Sequence, residues 1–202
     1  MIGKSKIRLA LLFLFCLPLC MLLMAVWHEV VGHCLTAILM GGRITLLDLF
    51  GVQIWPEFGK AGLPGRMDWV GAPGSRDVIG VAGPLSTWCV SVLAVVLLWV
   101  KRWKRPMYVI LVCLSLWCYD IFTETLSIWG FPRAVWFNNG HFYLYRGIGA
   151  DHYESALRLG IPGSLFIIFG IGTSVCLFAG LVIRLVMDYK QQRQKTVNQA
   201  VI

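Results

Sequence analysis

The run ALLFLFCLPLCMLLMAVWHEVVGHCLTAILM, residues 10–40, decides the fold of this chain because it is long, apolar and nearly free of charge. A helix needs about 20 apolar residues to cross the hydrocarbon core of a bilayer, which is about 30 Å thick. Pro18 is expected to kink the helix, because proline removes one backbone hydrogen bond. Gly41 and Gly42 are expected to end it. The run therefore predicts a membrane-spanning helix.

The composition of the whole chain agrees with a membrane protein. Of its 202 residues, 58% are hydrophobic and 14% are charged, whereas soluble proteins average about 25% charged residues. The seven cysteines lie in apolar stretches and form no C-x-x-C pair. Neither a disulfide framework nor a cysteine zinc site is therefore expected.

Four apolar runs are long enough to cross the membrane, at about 7–40, 78–100, 107–129 and 163–187. They predict an all-α integral membrane protein, with residues 1–202 in one membrane-embedded domain that ends in a basic tail at 188–202. The segment RITLLDLFGVQIW (43–55) follows the first span and partly alternates between apolar and polar residues. That alternation predicts a small β-hairpin in the first loop.

Three clusters of basic residues flank the spans, and the formal net charge of the chain is +8. The clusters are Lys4, Lys6 and Arg8; Lys101, Arg102, Lys104 and Arg105; and Lys190, Arg193 and Lys195. Cytoplasmic segments are enriched in Lys and Arg, so these positions predict a multi-pass protein with both termini in the cytoplasm. Loops 41–77 and 130–162 are then extracytoplasmic. No nucleic-acid partner is expected, because the basic residues form no soluble stripe.

The first span carries three ionisable residues close together, His28, Glu29 and His33. Each such residue inside a span costs about 2.5–3.5 kcal/mol, so it usually faces the protein interior and serves a function. Two neutral imidazoles can bind Zn²⁺ with a third protein ligand, which leaves one position for water. Zinc acidifies that water, and a neighbouring carboxylate can take its proton. The alternative is that the three residues lie just outside the hydrocarbon.

The spacing of the two histidines requires a local change of helix geometry. In H-E-x-x-H the histidines are four residues apart and about 40° apart around an α-helix, whereas in HEVVGH they are five residues and about 140° apart. A π-type turn would realign His28 and His33, and Gly32 relaxes the backbone sterics there. In the alternative pairing, Glu29 and His33 are the two ligands and His28 has another role.

Three segments resemble the site-2-protease-like family of integral-membrane zinc metallopeptidases, especially its short bacterial members. They are HEVVGHCLTAILMGGRI (28–44), IGVAGPLSTW (79–88) and GADHYESALRLGIP (149–162). The resemblance implies a zinc metalloendopeptidase of the bacterial inner membrane that cleaves membrane or membrane-proximal proteins. It implies His28, His33 and Asp151 as zinc ligands and Glu29 as the general base. It also implies that Gly83, Pro84 and Thr87 contact substrate, although the family often has asparagine where this chain has Thr87.

The third ligand has alternatives in the third span. Asp120 and Glu124 are i, i+4 neighbours on one helix face, and either is an alternative to Asp151 as the third ligand. This pair could also support the zinc histidines or relay protons. Asp151 is also suited to cap a short helix. His141 and His152 are interpreted as loop histidines.

Zinc-dependent peptide hydrolysis in the membrane is the function that these features favour. Loop 41–77 is expected to offer a strand edge to an extended substrate. A non-catalytic metal-binding scaffold, or pseudoprotease, is the main alternative, favoured by the extra residue in HEVVGH and by Thr87. A small transporter or proton-relay component is the other alternative, although the chain lacks the internal repeats typical of transporters.

Overall fold

The computed structural model describes residues 4–63, 66–71, 74–129, 134–138, 141–145 and 151–200. Its first helical segment is continuous and has three parts: α1 (Lys4–Trp27), π1 (His28–Cys34), which is a π-helix, and α2 (Leu35–Leu39). The helix runs through Pro18. It ends at Leu39, just before the predicted stop at Gly41, whose φ of +83° favours glycine.

The remaining helices follow in chain order. They are α3 (Arg76–Val100), α4 (Arg105–Ser115), α5 (Cys118–Ser127), α6 (Asp151–Arg158), α7 (Gly163–Ile167), the second π-helix π2 (Ile168–Thr173) and α8 (Ser174–Ala200). In the described part of the chain, four stretches are long and apolar enough to cross a membrane: Leu11–Leu39, Arg76–Val100, Arg105–Ser127 and Gly163–Gln191. The prediction of four membrane-spanning segments is confirmed by the length and composition of these helical stretches. Its orientation stays a prediction.

The third span is not one continuous helix, which the sequence did not predict. A turn at 116–117 separates α4 from α5. Trp117 in this turn is buried, and its indole Nε1 donates a hydrogen bond to the Cys20 carbonyl at 3.0 Å. The turn is thereby attached to α1, and α5 begins directly after it.

Helix α3 lies at the centre of the bundle and contacts π1, α4, α5, α6 and α8. The C-terminal half of α3, which is predicted to lie towards the cytoplasm, packs in an apolar cluster with α4 and α8. The buried residues of this cluster are Ala94, Leu98, Leu111, Val112 and Leu181. The N-terminal half of α3 carries Gly83, Pro84 and Thr87, which the sequence analysis singled out. The site is therefore built around the N-terminal half of α3.

The first loop forms a three-stranded antiparallel sheet with the strand order β2-β1-β3. Its strands are β1 (Gly42–Leu49), β2 (Val52–Trp55) and β3 (Arg66–Gly71). The predicted hairpin is β1–β2, and its turn has positive φ at both Phe50 and Gly51, the geometry that suits tight hairpins. The third strand was not predicted.

The sheet packs directly on the helices that carry the histidines. Ile44, Met67 and Trp69 cover the buried residues Ala37 and Ile79. The Cys34 thiol lies 3.3 Å from the Met67 sulfur, which brings β3 beside the end of π1. A second hairpin, β4 (Ala134–Asn138) and β5 (His141–Tyr145), precedes α6. The side chain of His141 lies outside the described part of the structure.

Candidate metal centre

The π-helix π1 brings His28 and His33 together. The amide of Leu35 donates to the carbonyl of Val30, five residues back, as π geometry requires. The Nε2 atoms of the two histidines lie 3.1 Å apart, and both residues are buried. The predicted departure from α geometry in HEVVGH is thus confirmed, and the extra residue is accommodated by the wider turn.

Two glycines let α3 approach π1 closely. A Cβ atom on Gly32 would lie 2.5 Å from the Cα of Gly83, so the two backbones meet without side chains between them. A Cβ on Gly83 would lie 2.5 Å from Nε2 of His33 and still closer to Nε2 of His28. Glycine at position 83 therefore keeps the space in front of both ring nitrogens open.

A third histidine, His152, completes the cluster. Its ring centroid lies 5.7 Å from that of His28 and 5.6 Å from that of His33. One ligand atom from each of the three histidines lies within 4.8 Å of the others, a group that could hold a metal ion. His152 is buried in the first turn of α6, so the interpretation as a loop histidine was wrong.

The predicted third ligand, Asp151, is the neighbour of His152 in the chain. Its backbone begins α6, which agrees with a helix-start position. Its side chain lies outside the described part of the structure, so its role as a ligand stays a prediction. The motif GADHYESALRLGIP thus marked the correct segment, and the adjacent histidine was the signal that sequence reasoning undervalued.

Each histidine of the cluster has its Nδ1 beside an oxygen atom. His28 Nδ1 lies 2.6 Å from Asp120 Oδ2, and His33 Nδ1 lies 2.6 Å from the carbonyl oxygen of Ile79. His152 Nδ1 contacts the carbonyl oxygen of Gly80. A carbonyl only accepts hydrogen bonds, so Nδ1 of His33 and of His152 carries the proton, and Nε2 of these rings is the nitrogen that can offer a lone pair. Metal-binding histidines are usually oriented in this way.

The distance between the two facing nitrogens is suited to a shared cation. Zinc–nitrogen bonds of 2.0–2.1 Å at a tetrahedral angle place two ligand nitrogens about 3.3 Å apart. The observed Nε2–Nε2 distance is 3.1 Å. Two lone pairs at that distance repel each other, unless one ring gains a second proton or a cation lies between them. The donor set therefore fits a metal ion whose identity the geometry leaves open.

Asp120 and Thr87 support His28 from behind. Asp120 Oδ2 contacts both His28 Nδ1 and, at 2.7 Å, the Thr87 hydroxyl. This oxygen lies beside Nδ1, on the side of the ring away from Nε2, where a carboxylate orients the imidazole. Thr87 is fully buried, and its hydroxyl also lies 2.9 Å from the Pro84 carbonyl oxygen.

The three residues expected to contact substrate are therefore interpreted differently. Gly83, Pro84 and Thr87 are all buried in α3. Gly83 provides space for the histidine nitrogens, and Thr87 holds Asp120. The positions of Gly83 and Thr87 thus serve the assembly of the histidine cluster, and the substrate contact expected of the three residues stays a prediction.

Two glutamates remain near the cluster. Glu29 follows His28 in π1 and is partly exposed. Glu124 in α5 is 3% exposed, and its Oε2 lies 3.4 Å from His152 Nε2. The alternative ligand Glu124 thus lies at the edge of the cluster, on the side of His152.

An ion pair at the far end of α6 helps to hold His152 in place. The guanidinium of Arg158 contacts Asp77 at the start of α3 at 2.6 Å. The hydrogen bond to Asp77 raises the pKa of Arg158, so this residue stays charged. Helix α6 is thereby attached to α3 at both ends, through His152 and through Arg158.

Comparison with known proteins gives no further guide to function. No protein-family model, no curated protein and no solved structure matches this chain. The family resemblance therefore rests on the three sequence segments, and the candidate metal centre rests on the geometry of its histidines.

Proposed function

We propose that this protein is a membrane-embedded zinc metallopeptidase that hydrolyses peptide bonds in membrane or membrane-proximal proteins. The observation that carries the proposal is the convergence of one ligand nitrogen each from His28, His33 and His152 in a buried site, with each Nδ1 beside an oxygen. Three histidines leave a zinc ion one position for chemistry, as catalytic zinc sites require.

Zinc bound there would polarise the scissile carbonyl and acidify the attacking water. The chain's own residues then have distinct tasks. Glu29 accepts a proton from the water as its oxygen attacks the carbonyl carbon, and it returns the proton to the amide nitrogen as the C–N bond breaks. The carbonyls of Ile79 and Gly80 keep His33 and His152 in the required tautomer.

The sheet offers a place for an extended substrate. In the order β2-β1-β3, strand β3 has β1 on one side and is an edge strand among the described residues. Met67 of β3 contacts Cys34, which is adjacent to His33. A peptide added as a further strand beside β3 would gain the backbone hydrogen bonds that a bilayer cannot supply. Cleavage that survives deletion of strand β3 would refute this part of the proposal.

The experiment that tests the function combines metal analysis with cleavage. Full-length protein is purified in detergent, its zinc content is measured, and cleavage of fluorescently labelled single-span peptides is followed in vesicles. Glu29→Gln should retain one zinc per chain and lose activity by about 10²–10⁴-fold, the usual contribution of a general base. Glu57→Gln, in the exposed loop after β2, is the matched control and should behave as the wild type.

Two other outcomes would point to Glu29 as a zinc ligand or to a non-catalytic scaffold. Loss of zinc in Glu29→Gln would favour Glu29 as a ligand. A wild-type protein that binds zinc and cleaves none of the peptides would favour a non-catalytic metal-binding scaffold, which the same histidine cluster supports. A wild-type protein without metal would contradict both proposals.

A further inference from the structure

A second carboxylate touches the ligand side of the histidine cluster. Glu124 Oε2 lies 3.4 Å from His152 Nε2, the nitrogen that remains for a metal because Nδ1 faces the Gly80 carbonyl. Asp120, in contrast, contacts Nδ1 of His28, on the far side of that ring. The two carboxylates of α5 therefore occupy different positions relative to the centre.

Glu124 lies beside the ligand group and does not belong to it. Within the described part of the chain, the group whose ligand atoms all lie within 4.8 Å of one another consists of the three histidines. In tetrahedral coordination, a fourth ligand atom would lie close to the ligand nitrogens of all three histidines. Glu124 contacts the group at Nε2 of His152, which is a position expected for a side chain that contacts an occupant of the fourth site.

The two carboxylates of α5 are placed where they would balance the charge of a bound ion. A divalent ion would bring two positive charges into a buried environment. Such charge is costly to bury unless opposite charges accompany it. Asp120 beside His28 and Glu124 beside His152 are the acidic side chains that contact the cluster among the described contacts.

Helix α5 is held firmly at the level of Glu124. The next residue, Thr125, is fully buried against Gly170 of π2, where an added Cβ would overlap the threonine hydroxyl and lie 3.1 Å from its Cβ. The Ser127 hydroxyl donates to the backbone carbonyl of Glu124 at 2.6 Å. The second π-helix thus packs directly against α5 beside Glu124.

We propose that Glu124 faces the open coordination position without being a ligand, and that it accepts a hydrogen bond from the water consumed in hydrolysis. The inference rests on the proposed metal-dependent hydrolysis and adds a second carboxylate to it. Glu29 takes the proton of the water, and Glu124 orients the water from the His152 side.

The test uses full-length protein loaded with Co²⁺, whose visible absorption reports both metal binding and anion binding. Glu124→Gln should bind Co²⁺ within about tenfold of the wild type, whereas His152→Ala, which removes a ligand, should weaken binding about 100-fold or more. Because the amide removes a negative charge beside the open position, azide should bind to the cobalt form of Glu124→Gln about tenfold more tightly than to the wild type.

Two further variants control for charge and for folding. Glu124→Asp keeps the charge and should restore azide binding towards the wild-type affinity. Glu154→Gln makes the same acid-to-amide change at an exposed position of α6, and it should leave both affinities unchanged.

Each result bears on the proposal. Loss of Co²⁺ in Glu124→Gln as severe as in His152→Ala would make Glu124 a ligand and overturn the proposal. Unchanged azide affinity in Glu124→Gln would also overturn it. Wild-type protein that binds no Co²⁺ would end both this inference and the proposed function. If the azide result is as expected but wild-type protein cleaves no peptide, the position of Glu124 stands and the peptidase proposal fails.

Discussion

Replacing Gly83 by alanine should abolish high-affinity metal binding while leaving the helical bundle folded. The added Cβ would lie 2.5 Å from Nε2 of His33, and ordinary van der Waals contact begins at 3.4 Å. The ring or the helix must therefore move by the difference, 3.4 − 2.5 = 0.9 Å. Metal–ligand distances tolerate only about 0.2 Å.

The expected loss of affinity can be estimated from weaker perturbations. Removing a group that only orients a ligand costs about 10–100-fold in metal affinity. Gly83→Ala displaces two ligand nitrogens directly, so we expect a loss of about 100-fold or more, equivalent to about 2.7 kcal/mol. The assay is zinc titration of purified protein against a chelator of known affinity.

Gly180→Ala is the matched control for this substitution. It also adds one methyl group to a glycine in a membrane span, but there the new Cβ would lie 3.8 Å from Val95, an ordinary contact. Its zinc affinity should equal that of the wild type. Zinc binding by Gly83→Ala within about threefold of the wild type would refute the reasoning, because the methyl group would then occupy no space that the metal needs.

Two further predictions concern the residues that support the cluster. Asp120→Asn should weaken zinc binding about 10–100-fold, because the amide replaces the carboxylate that holds His28 Nδ1. Competition with a chelator measures this affinity. An unchanged zinc affinity would contradict the role of Asp120. Gly170→Ala should destabilise the protein by about 1–3 kcal/mol through overpacking against Thr125. Thermal unfolding in detergent measures this loss of stability. An unchanged or higher unfolding temperature would contradict the close contact between π2 and α5.

Several parts of the fold could be predicted from the sequence because their signals are local. The four spans follow from length and composition, and the β1–β2 hairpin follows from the alternation in residues 43–55. The π-helix follows from a geometric requirement, since His28 and His33 can share a face only if the turn widens.

Other parts depend on contacts between distant segments. His152 joins the cluster because α6 docks on α3 through the Gly80 carbonyl and through Arg158, and no local spacing encodes that docking. The roles of Gly83 and Thr87 likewise follow from where α3 meets π1 and α5. A family motif pointed to these positions, but only the packing explains why their small and hydroxyl side chains are needed.

The central claim is that three histidines bind one metal ion, and X-ray absorption at the zinc edge of the purified full-length protein tests it most directly. Imidazole rings give characteristic multiple scattering, so the spectrum counts them. The account predicts three imidazoles at about 2.0 Å in the wild type and two in His152→Ala. A wild-type protein without zinc, or with only two imidazoles, would contradict it.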